Sequence, residues 1–336
     1  MSVKAYAAPE AKANLKDFSF EPQSLDHDQV EIAITHCGVC YSDIHLIDDD
    51  WGMSQYPLVP GHEIVGTVKS VGERVKHLKV GDRVGVGWQR DACLVCEQCV
   101  EGDDNLCPES QATCVGAHGG FAQAIRLSSH YAFRIPDGLD SENAAPLLCG
   151  GITVYSPLKA YDLRANMKIG VIGIGGLGHL ALQFAKAFGC EVTAFSHSPS
   201  KEEEARSFGA DHFVASSDAE ALESVAGSLD FIISTVHADL DWNAYLQALK
   251  PKGKLCFVGA TPEPIKFPVF SLIMGSRSVV GSPIGSRGRI REMLEFAERH
   301  NIKAKTELMP MSKVNDAVEH VRSGKARYRV VLDASR

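Results

Sequence analysis

Short stretches in which apolar and polar residues alternate dominate the first part of the chain. Gln29–Thr35 (QVEIAIT), Ile64–Val71 and Val80–Val86 follow this period of two, and Gly, Pro and Asp punctuate them. The pattern predicts short β-strands in a mostly antiparallel, barrel-like arrangement over residues 1 to about 150. From about Gly151 the pattern changes to strand, glycine turn, helix. Strands are predicted at Lys168–Gly173, Glu191–Phe195, His212–Ala215, Leu229–Thr235 and Lys254–Val258, with Val279 and Val280 in a last one. Helices are predicted at Leu177–Phe188, Lys201–Phe208 and Trp242–Leu249. Strands alternating with helices predict a parallel sheet built from βαβ units. Beyond Ile290 come two predicted helices, Glu292–Arg299 and Val314–Ser323, and a strand, Arg329–Leu332, expected to return to the first domain. The expected organisation is one domain from 1–150 with 285–336, and a second from 151–284. A length of 336 residues agrees, at about 150 residues per domain.

Composition narrows the class without naming it. Apolar residues make up 45% and charged residues 23%, ordinary values for a packed globular chain. The net charge of -8 argues against nucleic acid or an anionic membrane as a partner. The N-terminal stretch lacks the apolar core of a signal peptide, and no apolar run is long enough to cross a bilayer. A cytoplasmic location is therefore expected. Ten cysteines in a reducing compartment point to metal or chemistry before disulfides.

Gly173-Ile-Gly175-Gly176-Leu177-Gly178 matches G-x-G-x-x-G, directly after a strand and at the start of a helix. In that setting Gly173 permits a tight turn, Gly175 lets backbone approach a pyrophosphate and Gly178 lets the helix pack close. The helix N–H groups then face phosphate. A carboxylate at the end of the second strand would bind the ribose 2′-hydroxyl of NAD. Here that position reads Ser196-His197-Ser198-Pro199-Ser200-Lys201. Serine hydroxyls and a lysine suit a 2′-phosphate instead, which predicts NADP(H) over NAD(H). The plainer alternative is that these residues only turn the chain and cap a helix.

Cys93-x-x-Cys96-x-x-Cys99-x7-Cys107 has the spacing of four thiolates around one tetrahedral zinc closed to other ligands. An iron–sulfur cluster is the competing use of four cysteines, but the spacing differs from ferredoxin runs. A nucleic-acid zinc ribbon is opposed by Glu97, Glu101, Asp103 and Asp104.

Three further spots carry chemistry-bearing residues: Cys40-Tyr41-Ser42-Asp43-Ile44-His45, Gly61-His62-Glu63 and Cys149-Gly-Gly. Singly each is weak, since a lone cysteine is more often a small buried apolar residue. Gly38-Val-Cys40-Tyr-Ser-Asp-Ile-His45, Pro60-Gly-His62-Glu63-Ile-Val-Gly66, the four-cysteine lobe, Leu148-Cys149-Gly-Gly-Ile-Thr-Val-Tyr155 and the glycine turn, in that order, together closely resemble the zinc-dependent medium-chain alcohol dehydrogenases. SHSPSKEEEA resembles the NADP-dependent, cinnamyl-alcohol-dehydrogenase-like branch.

The resemblance implies an α/β fold with a GroES-like β-barrel catalytic domain and a Rossmann cofactor domain, substrate lying between them. It implies a catalytic zinc held by Cys40, His62 and Cys149, with Glu63 an adjacent or exchangeable ligand, and a structural zinc on Cys93, Cys96, Cys99 and Cys107. Asp43 would orient His62. Ser42 would touch the substrate oxygen, and His45 would pass its proton to solvent. The nicotinamide end would lie near Thr235, Val258-Gly259-Ala260 and Ser282-Pro-Ile284.

Trp51 and Trp88 are expected to line an apolar pocket for aromatic or medium aliphatic aldehydes, core packing being the alternative. Tyr41 stands where histidine is common in the family, and the stretch from Cys107 to Gly119 looks shorter than in the plant enzymes, so narrow cinnamyl specificity is not expected. Cys37, Cys114, Cys190 and Cys256 are expected to be structural thiols. The expected function is an NADP(H)- and zinc-dependent aldehyde reductase. An iminium or polyol oxidoreductase on the same scaffold and a non-catalytic NADPH or zinc sensor are the competing readings. Val279 and Val280 suggest an edge strand that pairs in a homodimer.

Overall fold

The computed structural model describes residues 2–335, and contacts divide the chain into two units, Met1–Ile152 with Gly285–Arg336, and Thr153–Ile284. Among the described residues no helix is long and apolar enough to cross a membrane.

The first unit is organised by one long strand, Gln29–Val39, whose residues alternate between buried and partly exposed over most of its length. It pairs antiparallel along one side with Glu63–Val71. Along the other side Ala124–Ser128 takes its first half and Arg329–Asp333 its second, both antiparallel. Glu63–Val71 continues to Arg83–Val86, and that strand to Phe133–Arg134. Pairing is antiparallel throughout this seven-stranded sheet except at its far edge, where Thr306–Pro310 runs parallel to Arg329–Asp333.

That Thr306–Pro310 strand has no clear alternation and is not expected from the sequence. Nor is the helix Tyr41–Asp48, in which one carboxylate, Asp43, accepts from the Cys40 N–H at 2.9 Å. The strand expected from Val80 begins only at Arg83, because Gly81 turns the chain with φ 92°. The helix expected from Glu292 begins earlier, at Arg287.

The second unit is a six-stranded parallel sheet. Its strands lie in the order His212–Ala215, Glu191–Ser196, Lys168–Ile172, Leu229–Ser234, Leu249–Phe257, Ser278–Gly281. Numbered along the chain this is 3-2-1-4-5-6, with the order reversing beside the first strand. Near-continuous apolar runs form the three strands Lys168–Ile172, Glu191–Ser196 and Leu229–Ser234, whose faces are both covered, whereas the strand expected from Lys254 begins earlier, at Leu249, through the polar stretch Lys250–Lys252. On one side Trp242, Tyr245 and Leu246 pack against Phe195, Ile232 and Leu255. The Trp242 ring meets the Phe257 ring edge-on at 4.7 Å. The helix expected at Lys201–Phe208 starts at Glu202, because Pro199–Lys201 forms a tighter 3-10 turn first.

Candidate active site

Three separate segments of the first unit meet at one buried point. The start of the helix Tyr41–Asp48 brings Cys40, the start of the strand Glu63–Val71 brings His62 and Glu63, and a single π-helical turn, Leu147–Gly151, brings Cys149. The four ligand atoms lie within 4.8 Å of one another, and all four residues are buried. Cys40 Sγ and Cys149 Sγ are 3.9 Å apart, and His62 Nε2 is 3.3 Å from Cys149 Sγ. Thiolates at about 2.3 Å from a tetrahedral zinc stand about 3.8 Å apart, so the donor set fits that ion.

Asp43 fixes this arrangement. One carboxylate oxygen accepts from the Gly61 N–H at 2.9 Å and faces His62 Nδ1 at 2.8 Å; the other takes the Cys40 N–H. Nδ1 therefore carries the proton and Nε2 is left with its lone pair toward the sulfurs. Burial opposes charge on His62, yet Asp43 and Cys149 outweigh it and raise its pKa well above the usual value. The hydrogen bond from Cys149 holds Cys40 well below the usual thiol range, and the same bond raises Cys149.

Glu63 is ion-paired through one oxygen with buried Arg329 of the C-terminal strand. Its other oxygen is buried without a hydrogen-bond partner. Burial raises Glu63 to about 7 against the opposing pull of Arg329. Gly38 stands directly across the sheet from Glu63, where a Cβ would meet that free oxygen at 2.0 Å.

An arc of aromatic rings leads away from His62. Trp88 stands edge-on to it at 5.0 Å, Trp51 meets Trp88 at 6.2 Å, and His45 meets Trp51 at 4.9 Å. Tyr41 closes the arc on His45 at 5.0 Å. Ser42 and His45 are three residues apart and share a helix face. His45 is no plain surface residue: its ring is mostly covered and its Nδ1 is 2.7 Å from Asp50 Oδ2.

The four-cysteine lobe forms a second cluster. Cys93, Cys96, Cys99 and Cys107 bring their sulfurs within 4.8 Å of one another. Cys93 stands 4.0 Å from Cys99 and 3.5 Å from Cys107, again near a tetrahedral edge. The lobe has no apolar core of its own, as Val95, Val100 and Leu106 are 79%, 74% and 53% exposed. Buried Asp104 ties it down, taking the Tyr131 hydroxyl at 3.1 Å and the Arg287 guanidinium at 3.4 Å.

In the second unit the glycine turn has the geometry its spacing requires. Gly173 has φ 86°, a Cβ on Gly178 would strike the Gly173 carbonyl at 1.8 Å, and beside Gly175 nothing stands within 4 Å. Thr235 bonds the carbonyls of Ile172 and Gly173, each at 2.9 Å. At the end of the neighbouring strand the buried Ser196 Oγ accepts the Ser198 N–H, and the Lys201 ammonium donates to the Ile174 carbonyl at 2.6 Å. His197 is exposed beside them. Val258, Gly259 and Ala260 follow the strand Leu249–Phe257, and Ser282 and Ile284 follow the last, Ser278–Gly281. All these residues stand at the C-terminal ends of parallel strands, where open α/β sheets bind ligands.

Residues 26–137 match the model described as the alcohol dehydrogenase GroES-like domain, and residues 176–299 match that of the zinc-binding dehydrogenases. An aldehyde reductase of Synechocystis sp. is 48% identical over 99% of both chains. The structure of a cinnamyl alcohol dehydrogenase from Sorghum bicolor superposes with a TM-score of 0.96 at 40% identity, covering 100% of this chain and 98% of that one. That of a cinnamyl alcohol dehydrogenase from Helicobacter pylori complexed with NADP(H) does so with 0.92 at 35%, covering 100% and 99%. The chain belongs to the zinc-type medium-chain alcohol dehydrogenases, in their cinnamyl-alcohol-dehydrogenase-like branch.

The dehydrogenase uses residues that its sequence does not advertise. Cys114, expected to be a spare thiol, has its sulfur within 4.8 Å of the Asp43 and His62 donor atoms. Burial raises it, so it stays a neutral thiol behind the histidine. Arg329 and Asp104 also carry weight that no local motif signals, since each acts on a partner far along the chain. Cys37, Cys190 and Cys256 are buried free thiols in this dehydrogenase and belong to neither cluster, though Cys37 lies close enough to Asp43, Glu63 and His62 to feel their charges.

Proposed function

We propose that this alcohol dehydrogenase is a zinc-dependent, NADP(H)-dependent aldehyde reductase acting on aromatic or medium aliphatic aldehydes. The observation that carries the reading is the buried Cys40–His62–Cys149 set at tetrahedral spacing, with Asp43 holding the His62 proton away from it. Zinc bound there supplies a Lewis acid for the carbonyl oxygen, and a nicotinamide cofactor supplies the hydride. Cys40, His62 and Cys149 are the proposed ligands, with Glu63 held in reserve by Arg329. Ser42 sits at the helix start to donate to the substrate oxygen, and His45, braced by Asp50, exchanges that proton with solvent. Trp51 and Trp88 offer apolar ring faces beside His62 for a substrate body.

Cys93, Cys96, Cys99 and Cys107 are the proposed structural zinc site, giving two zincs per chain. For the cofactor, Ser196, Ser198 and Lys201 beside the glycine turn favour a 2′-phosphate. The NADP(H) in the Helicobacter pylori relative supports this choice. A reducing cytoplasm suits the ten free thiols. The strand Ser278–Gly281 leaves one sheet edge open, and Val269, Phe270, Ile273 and Met274 nearby are exposed, so a second copy is the proposed partner across that edge.

The test is NADPH oxidation with a panel of aldehydes, alongside zinc counting. The unaltered protein is expected to hold two zincs. Cys40→Ala is expected to keep its fold and one zinc while losing turnover by about a thousandfold or more. Normal turnover in that variant would refute the ligand assignment.

A further inference from the structure

A cavity of about 590 Å3 opens beside the paired segments Gln89–Asp91 and Gln111–Ala112. None of the residues lining it belongs to either metal cluster. The volume falls within the about 300–1,000 Å3 of small-molecule sites. Two guanidinium residues line it, and they differ in state. Arg126 is neutralised, its Nε and a terminal nitrogen meeting the Glu31 carboxylate at 2.6 and 2.5 Å. Arg90 is half-buried, and among the described residues its hydrogen bond is to the Arg126 carbonyl, at 2.8 Å, with no carboxylate in ion-pair range. Four of its five N–H donors are thus left over.

Burial lowers the pKa of Arg90, and neighbouring Asp91 opposes this only in part. A guanidinium half removed from water with no carboxylate in ion-pair range carries a desolvation cost that is only partly offset. His118 adds no second charge. Its ring packs against Phe20 at 4.1 Å, and burial followed by the repulsion of Arg90 lowers its pKa. Glu21 also lines the cavity, exposed to solvent. The cavity therefore offers the Arg90 guanidinium with no carboxylate in ion-pair range, the side-chain amides of Gln55 and Gln111, and apolar wall from Phe20 and Tyr56.

We propose that this cavity binds a small organic monocarboxylate, its carboxylate on the Arg90 guanidinium and its apolar body against Phe20 and Tyr56. A planar fork matches a carboxylate bidentately. A single free cation does not balance a dianion such as phosphate. The site is separate from the aldehyde-reducing centre and goes beyond the function proposed above.

The probe is benzoate, titrated calorimetrically into the zinc-loaded full chain. Benzamide is the neutral isostere and inorganic phosphate the dianionic control. Hydrogen–deuterium exchange locates the contact. Benzoate is expected to bind at least tenfold tighter than either control and to protect peptides covering 20–24 and 111–118. Arg90→Gln is expected to lower benzoate affinity at least tenfold. Equal affinity for benzoate and benzamide overturns the proposal, as does tighter binding of phosphate. Protection confined to peptides holding Cys40, His62 or Cys149 overturns it too, because benzoate then sits at the metal centre. The benzoate–benzamide comparison uses the unaltered protein, so it decides the matter even where Arg90→Gln fails to fold.

Discussion

A single carboxylate, Asp43, serves three donors at once: the Cys40 N–H, the Gly61 N–H and His62 Nδ1. An amide in its place has one acceptor oxygen and turns an N–H2 toward one of those donors. Asp43→Asn is therefore expected to lower zinc affinity or turnover by about 10- to 100-fold. Zinc retention in a chelator series checks it, and a variant that keeps its metal as well as the parent would count against the hub role. At this scale the sequence was legible where residue type alone carries chemistry. Cys40, His62, Glu63 and Cys149 stood out as possible ligands and do come together. Cys114 did not, because nothing near it in the chain points to a histidine more than fifty positions away. Arg329 was hidden for the same reason, reading only as part of an apolar strand.

Among elements, the four-cysteine lobe depends on what holds it from outside. Its apolar side chains face water, and Asp104 is its buried anchor to Tyr131 and Arg287. Removing that carboxylate leaves a mostly buried guanidinium unpaired. Asp104→Ala is expected to cost about 3–5 kcal/mol of stability, measured by denaturant unfolding. Cys96→Ala is expected to release one zinc and loosen the same lobe while the second zinc stays, because structural zinc contributes folding energy. Exchange protection lost over 93–107 alone is the expected sign. The parallel strands Lys168–Ile172, Glu191–Ser196 and Leu229–Ser234 were legible because both faces are buried and their runs are mostly apolar. The strand Thr306–Pro310 was not, since it lies at a sheet edge and only its pairing with Arg329–Asp333 makes it a strand. The π-helical turn at Cys149 was equally silent, as a one-turn widening leaves no spacing signal.

For the whole molecule, a net charge of -8 coexists with the proposed phosphate site at the end of the second parallel strand. Ser196→Asp combined with Lys201→Ala is expected to shift the NADPH-to-NADH ratio of kcat/KM at least tenfold toward NADH. Unchanged relative efficiency with the two cofactors would sink the proposed 2′-phosphate site. The proposed two-fold pairing is checked by light scattering, which should give twice the mass of one 36.3 kDa chain. The two-part plan of the chain was legible from a change of period near Gly151, and five motifs in order revealed the family. What stayed hidden was which side chains cross long sequence distances to complete each site.

The bond from the Lys201 ammonium to the Ile174 carbonyl has an entropic meaning. A lysine free in solution samples many rotamers, and fixing it costs a ligand about 0.5–1.5 kcal/mol. Lys201 is already fixed by the backbone of the glycine turn. A phosphate bound at that proposed site would meet a charge whose position is set beforehand, so little of its binding energy would be lost to ordering the side chain.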